Sequence, residues 1–387
     1  MKTVSVTCGY LPLVDSAPLI IAKELGFAAQ EGIDLTLAQQ PSWSALRDRL
    51  MFGQIDFAHM LSPMPIAMTL GLGGVAAPID ALMVLSVNGT VIGVSEDLAN
   101  RMNKTGWVNT FNDPVATSQA LLQTKTHPIR IGVPFAFSIH RLLLEYWLSK
   151  DPSFDHAKIQ IITIPPPQMS DALCDGRIDM FCVGEPWGSV AVQQSAATLI
   201  LPSAAIWNFA PEKVLGAHHD WIAQNENTCL AMIRAVYKAA HWLDQPQNTP
   251  LAVEILASSA HLDLPDHAIE PALTGQITTQ AGQEAKEVEC FIAFHKGSVN
   301  FPWHRQAHWI AQRLDGTSQQ QIKARDCFRN DLYRDALLPM GANPLTEFEK
   351  REGGIVEATE NGRMILRPDA FFDGAVFDFA ADLAHKK

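Results

Sequence analysis

The chain has 387 residues, 47% of them hydrophobic and 18% charged, and 29 Lys plus Arg against 41 Asp plus Glu leave a net charge of −12. That length supplies two or three cores, and an acidic chain with scattered basic residues is a poor direct nucleic-acid binder, although it can attract a basic partner. The 24 Gly and 24 Pro are spread out, which indicates many turns. No apolar run reaches the roughly 18 residues that a membrane span needs.

Met1-Lys2-Thr3 leads straight into an alternating strand at residues 4–8, with no basic and apolar leader before it. The expected location is therefore the cytoplasm. A helix is expected at 17–31, a strand at 34–38, a helix at 44–52, and strands at 57–60, 81–87 and 129–133. A helix at 140–149, a strand at 159–164, a helix at 168–175 and a strand at 180–183 follow. This alternation predicts α/β architecture with mostly parallel sheets. From about residue 225 the pattern is helical, at 228–243, 251–260, 303–314 and 319–326. Two weakly patterned stretches, 97–128 and 202–216, read as surface wrapping and connection. The organisation expected is a discontinuous first lobe, 1–92 with 204–387 including a helical C-terminal part, and a second lobe at 93–203. Two crossings near 92 and 203 suit a cleft-closing binding protein. The six cysteines, Cys8, Cys174, Cys182, Cys229, Cys290 and Cys327, are widely spaced and read as buried small hydrophobes.

Four segments mix aromatic, small and polar residues where strands should end. In Gln40-Pro41-Ser42-Trp43-Ser44-Ala45, Ser42 can cap the following helix, which makes its start an anion site with the Trp43 indole N–H beside it. An ordinary capped helix with a packed Trp is an equal reading. Val87-Asn88-Gly89-Thr90 interrupts the most apolar run, so its polar groups either serve a crossover or face a cavity. His140 in Phe135-Ala136-Phe137-Ser138-Ile139-His140 stands at a helix start beyond a strand, where ligands collect in α/β folds. A lone His is more often structural. Gly184 and Pro186 enforce a turn that presents Glu185 and Trp187 above the sheet. With no nucleophile nearby, Glu185 reads as a structural carboxylate. His218-His219-Asp220 is a weak metal candidate because adjacent helical residues do not share a face. Motifs for P-loop, zincin, serine-hydrolase or dinucleotide chemistry are absent. The expectation is a binding protein with no catalytic residue, cofactor or metal.

Gly9-Tyr10-Leu11-Pro12-Leu13 with the run from Ala17 to Phe27 resembles the N-terminus of nitrate- and bicarbonate-binding proteins of ABC transporters. Ser42-Trp43-Ser44-Ala45-Leu46-Arg47-Asp48, His59-Met60-Leu61-Ser62-Pro63-Met64-Pro65, Phe181-Cys182-Val183-Gly184-Glu185-Pro186-Trp187, Phe301-Pro302-Trp303 and Trp309 continue the match across residues 4–315. The resemblance implies a two-lobed, type II periplasmic-binding-protein clamp with the ligand between lobes. The missing leader is similar to leaderless nitrate/nitrite sensors of the NasS type. These imply a cytoplasmic protein that binds nitrate or nitrite and then releases an RNA-binding, response-regulator-like antiterminator of the NasT type, so controlling nitrate assimilation. A nitrate/nitrite or bicarbonate transport component is the alternative, and a thiamin-pyrimidine synthase-like enzyme a distant third. The ligand positions the resemblance implies are Trp43 with the Ser44–Ala45 backbone, Asn88, Gly89 and Thr90, and His140, with Gly184, Glu185, Pro186 and Trp187 structural near the cleft. Transport members carry Gln where this chain has Thr90 and Lys where it has Asn208, which leaves the positive charge to His140 or Lys213. A planar monoanion such as nitrate suits modest donors in a dry cleft. Bicarbonate would need an acceptor for its own proton, and no carboxylate cluster is evident for it.

Overall fold

A computed structural model describes residues 3–74, 77–124, 128–341, 352–354 and 369–377. The strands in chain order are β1 (Val4–Tyr10), β2 (Ile33–Gln39), β3 (Phe57–Leu61), β4 (Ile79–Asn88), β5 (Thr90–Val94), β6 (Ile129–Val133) and β7 (Ile159–Thr163). They continue with β8 (Met180–Gly184), β9 (Thr198–Pro202), β10 (Pro211–His218), β11 (Gln276–Thr278), β12 (Ala285–Glu287) and β13 (Ile292–Ala293). Six of them form one sheet in the order β13-β4-β10-β3-β1-β2, and five form another in the order β7-β6-β8-β5-β9. β11 and β12 pair as a separate hairpin, an exception to the all-helical C-terminal half expected from the sequence.

The two sheets share a plan. In the first, β2, β1 and β3 are parallel and β10 is antiparallel to β3 and to β4. In the second, β7, β6 and β8 are parallel and β5 is antiparallel to β8 and β9. The antiparallel strand of each sheet arrives directly from the other lobe. The lobes are therefore joined at Asn88–Thr90 and again between Pro202 and Pro211, and the expected clamp is the architecture observed.

Local sequence accounts for most elements. β3, β4, β5 and β8 are buried along their whole length and are almost entirely apolar, as central strands must be. The helix expected at 17–31 is two helices, Ala17–Glu24 and Phe27–Gln30, because Gly26 turns left-handed at φ 72° between them. The stretch 97–128 is not mere surface wrapping. It contains the helices Glu96–Asn103 and Pro114–Gln123, capped by Ser95 and Asp113, and buries Phe111 and Leu121. The stretch 202–216 hides the largest departure from expectation, since β10 is buried in mid-sheet. Its sequence Pro-Glu-Lys does not resemble a central strand, because the two charges neutralise each other rather than meet water. Cys8, Cys182, Cys229 and Cys327 are buried as expected, but Cys174 is exposed and Cys290 half-exposed.

A short C-terminal segment, residues 369–377, ties the lobes together on the outside. Asp373 accepts from the Tyr146 hydroxyl at 2.8 Å, on the second-lobe helix Ile139–Ser149, and pairs at 2.7 Å with Lys150, which caps that helix. Asp369 accepts from the Trp207 indole, and Phe371 lies stacked at 17° on Trp309 of the first-lobe helix His304–Ala311.

Candidate functional site

The carboxyl ends of the parallel strands in both sheets face a common seam. Val14 N–H donates to the Glu185 carbonyl at 2.9 Å, and the Trp187 indole to the Pro12 carbonyl at 3.2 Å, so the seam is closed. From the first lobe, the turn Val14–Ser16 after β1 brings Asp15, the helix Trp43–Met51 after β2 brings Trp43, and β3 brings His59. β10 brings both Glu212 and Lys213. Neighbours on a strand normally face opposite sides, but the pairing of β10 with β4 shifts between Pro211 and Lys213. That bulge lets consecutive side chains enter the same space. From the second lobe, Thr90 opens β5 directly opposite Gly184 at the end of β8. Ser138 caps the helix Ile139–Ser149 and sets His140 in its first turn.

These side chains form one buried cluster. Lys213 Nζ donates to Asp15 Oδ2 at 2.6 Å and to Glu212 Oε1, and lies 5.4 Å from the centre of the Trp43 ring. His59 Nε2 stands 3.0 Å from Asp15 Oδ1, and His140 Nδ1 3.5 Å from Glu212 Oε1, both out of line for a hydrogen bond. The Trp43 and His59 rings are 5.7 Å apart. Lys213 is 0% exposed and His59, His140, Asp15, Glu212 and Trp43 no more than 2%. A buried ammonium persists only when paired. Burial pulls the Lys213 amine down, but Asp15 and Glu212 together carry it above the usual lysine range. Burial likewise pushes Asp15 up, and Lys213 with His59 outweighs it and holds the carboxyl down at about 2. Glu212 is pushed up to about 7 by burial, with Lys213 opposing and Asp15 adding to the rise. Burial keeps both imidazoles neutral, aided for each by the Lys213 charge and opposed by Asp15.

Several buried donors around this core have no acceptor. Trp43 Nε1 makes no hydrogen bond, nor do the ring nitrogens of His140 or Ser86 Oγ, whose residue pairs with Lys213 across the sheet. Thr90 Oγ1 also lacks a regular partner, with the Cys182 thiol beside it. An unsatisfied buried polar group costs about 1–3 kcal/mol, so such a concentration marks a place where an acceptor belongs. Concavities of about 500 Å³ elsewhere do not compare. The one lined by Asn208, Lys286 and Cys290 has its lysine already bonded to the Asn109 carbonyl.

The residues singled out from sequence divide into two groups. Trp43, Thr90, His140 and Lys213 come together, and the positive charge rests on Lys213 because His140 is neutral. Ser44 is exposed and its hydroxyl pairs with Ser42, while the Ala45 N–H is taken by the Ser42 cap at 3.2 Å, so neither that hydroxyl nor that N–H serves the cluster. Asn88 and Gly89 are crossover residues. Asn88 donates to the Asn208 carbonyl at 2.8 Å and accepts from Ala210 N–H, while a Cβ on Gly89 would meet Ile292 at 2.8 Å. Asn208 accepts from Ala370 N–H at 2.7 Å, on the C-terminal tie. Gly184 marks the wall of the cluster, since a Cβ there would lie 3.5 Å from Asp15 Oδ2 and 4.0 Å from His140 Nε2. Glu185 accepts from Ser189 N–H at 3.0 Å, Pro186 follows it through a cis peptide bond, and burial raises the carboxyl to about 7 against the Ser189 bonds. His219 pairs with Asp80, and among the described residues no group of three His, Cys, Asp or Glu is placed to hold a metal ion.

Asp15, His59 and Glu212 escaped the sequence reading, and with them the carboxylate cluster that was thought absent. Each is a charged or titratable residue inside an apolar run, Leu13-Val14-Asp15, Phe57-Ala58-His59-Met60-Leu61 and Glu212-Lys213-Val214-Leu215. A buried charge demands a partner elsewhere, and that was the available signal.

The chain is similar to proteins named for nitrate import and nitrate or nitrite binding. The nitrate import ATP-binding protein NrtC of Synechocystis sp. PCC 6803 is 33% identical over 81% of this chain, which spans only 46% of that longer protein. The nitrate/nitrite binding protein NrtA of Synechococcus elongatus is 30% identical over 96% of this chain and 83% of its own length. The crystal structure of the periplasmic nitrate-binding protein NrtA from Synechocystis PCC 6803 superposes with a TM-score of 0.85 at 27% identity, covering 99% of this chain and 98% of that one. The fold is thus the periplasmic-binding-protein clamp. The NMT1-like family description matches residues 1–257, and with these relatives it establishes that the chain belongs to the NMT1-like family.

Proposed function

We propose that the chain binds nitrate or nitrite between its lobes and serves as the substrate-binding component of an import system. The observation that carries this reading is the sealed interlobe cluster, in which one ammonium and a ring of unpartnered neutral donors await a small acceptor. Nitrate is planar, weakly basic and singly charged, and an indole N–H, a hydroxyl, an imidazole and an ammonium can surround it without a metal. The relatives named as nitrate and nitrite binders favour this ligand class, and their transport names favour the import role. No turnover is part of the reading. Titration calorimetry with nitrate, nitrite, bicarbonate and chloride tests it. Saturable binding of nitrate or nitrite, weakened in Trp43→Phe, is the expected result. Equal responses to chloride, or none to any of the four, would overturn it.

The net charge of −12 favours a second reading, in which the same clamp works in the cytoplasm and holds a basic antiterminator until the anion binds. Linkage then requires that a saturating partner lower nitrate affinity by the factor by which nitrate lowers partner affinity. Nitrate affinity unchanged by a bound partner would dispose of it.

A further inference from the structure

Lys213 is held by two carboxylates, one more than its charge requires. If both are ionised, the sealed cluster carries one net negative charge before any ligand arrives, since both imidazoles are neutral. A monoanion entering a dry site would double that charge, and uncompensated buried charge is strongly unfavourable. One carboxylate must therefore yield. Asp15 lies 2.6 Å from Lys213 Nζ and 3.0 Å from the His59 ring, and both neighbours favour its ionised form. Glu212 has one cation on its own strand and otherwise faces Asp15 from the turn after β1, His140 from the second-lobe helix and the Cys182 thiol from β8. None of those facing groups is positive, and Arg141 of the second-lobe helix is engaged with Glu145 at 2.7 Å, so Glu212 is the carboxylate that protonates.

We propose that Glu212 is the proton partner of this site, taking one proton from solvent with each monoanion that binds and then donating its O–H to that anion. The inference rests on the anion-binding reading. The balance is simple: site, nitrate and one proton combine, no bond within the anion changes, and the proton resides on the Glu212 carboxyl. Protonation also frees an N–H of Lys213 to turn toward the ligand. The ionised form has the opposite character. It accepts but cannot donate, and a monoanion that binds beside it leaves the site doubly negative. Burial that raises Glu212 to about 7 makes both forms accessible near neutrality.

The test is nitrate calorimetry on the full chain between about pH 6 and about pH 9, repeated in buffers of different ionisation enthalpy so that protons taken up are counted. The expected result is uptake rising toward one proton per nitrate, with affinity falling about tenfold per pH unit on the alkaline side. Glu212→Gln, a neutral donor of the same shape, should bind nitrate with no proton uptake and a flat pH profile. Glu185→Gln should keep the uptake, because Glu185 lies outside the cluster. Nitrate binding without proton uptake in the natural protein would overturn the proposal and leave the anion reading standing, and the count needs no variant to fold. Uptake that persists in Glu212→Gln would overturn it too. Failure to bind nitrate or nitrite at any pH would overturn the anion reading itself.

Discussion

In the first sheet the antiparallel strand set beside three parallel ones, β10, carries Glu212 and Lys213 to the seam, and in the second the strand in the same place, β5, carries Thr90. The rest of the seam follows the same division. Asp15, Trp43 and His59 come from the first lobe, whereas the second adds the neutral His140, the Cys182 thiol and the bare wall at Gly184. Equivalent positions in one sheet plan thus hold different chemistry. The charged group is assembled within one lobe, and the other lobe dries it. An ammonium between two carboxylates can remain together in water when the lobes part, and closing removes water from a network already built.

The heaviest blow to this asymmetry is Lys213→Met. It strands two buried carboxylates, so stability should fall by about 3–5 kcal/mol in urea unfolding and anion binding should vanish. No second-lobe substitution in the seam should approach that loss. Trp43→Phe comes next. It keeps the ring that packs in the first-lobe core and removes only the N–H, so nitrate affinity should fall about tenfold in calorimetry with little change in stability. Trp43→Ala would confuse the two effects, because this side chain is 2% exposed and belongs to the core.

The pH dependence of unfolding separates the carboxylates. Asp15, held at about 2 below its ordinary 3.8, stabilises the fold at higher pH, and that contribution should be lost as pH falls from about 4 to about 2. Glu212 and Glu185 are raised from 4.5 to about 7, so the folded form binds the extra protons. Each therefore lowers stability as pH rises from about 5 to about 7, while the buried neutral His59 and His140 act in the opposite sense. Glu185→Gln should shift the slope over this range toward rising stability. An unchanged slope in Glu185→Gln would contradict the burial of that carboxyl. The smallest effect is expected from Thr90→Val, which takes one hydroxyl from the second lobe and should weaken nitrate binding severalfold without altering proton uptake.

The parallel strands of both lobes were legible because residues such as Ile129–Val133 and Met180–Gly184 combine apolar runs with clear turns. The cap at Ser42 and the seam positions of Trp43, Thr90 and His140 were legible too, as helix starts, strand ends and matching segments, whereas Lys213 entered only as an alternative to His140 for the positive charge. β10 was not, since a charged dipeptide after a proline has the pattern of a loop until a bulge and an opposite charge 198 residues away make it a strand. Asp15 and His59 were invisible for the same reason. Their meaning lies in partners that only the fold brings near.

The C-terminal tie has an optical consequence. Trp207 and Trp309 lie 4.7 Å apart between the lobes' tether points, Phe371 stacks on Trp309, and the Arg313 guanidinium sits 3.6 Å above it. Tyr146 of the second lobe meets this first-lobe stack with ring centres 5.8 Å from Trp309. Any rotation of one lobe against the other must shear that group of rings. Indole emission is sensitive to such contacts, so the molecule carries an intrinsic fluorescence gauge of its own opening, and nitrate should change its spectrum even when Trp43, the indole nearest the ligand, is replaced by Phe.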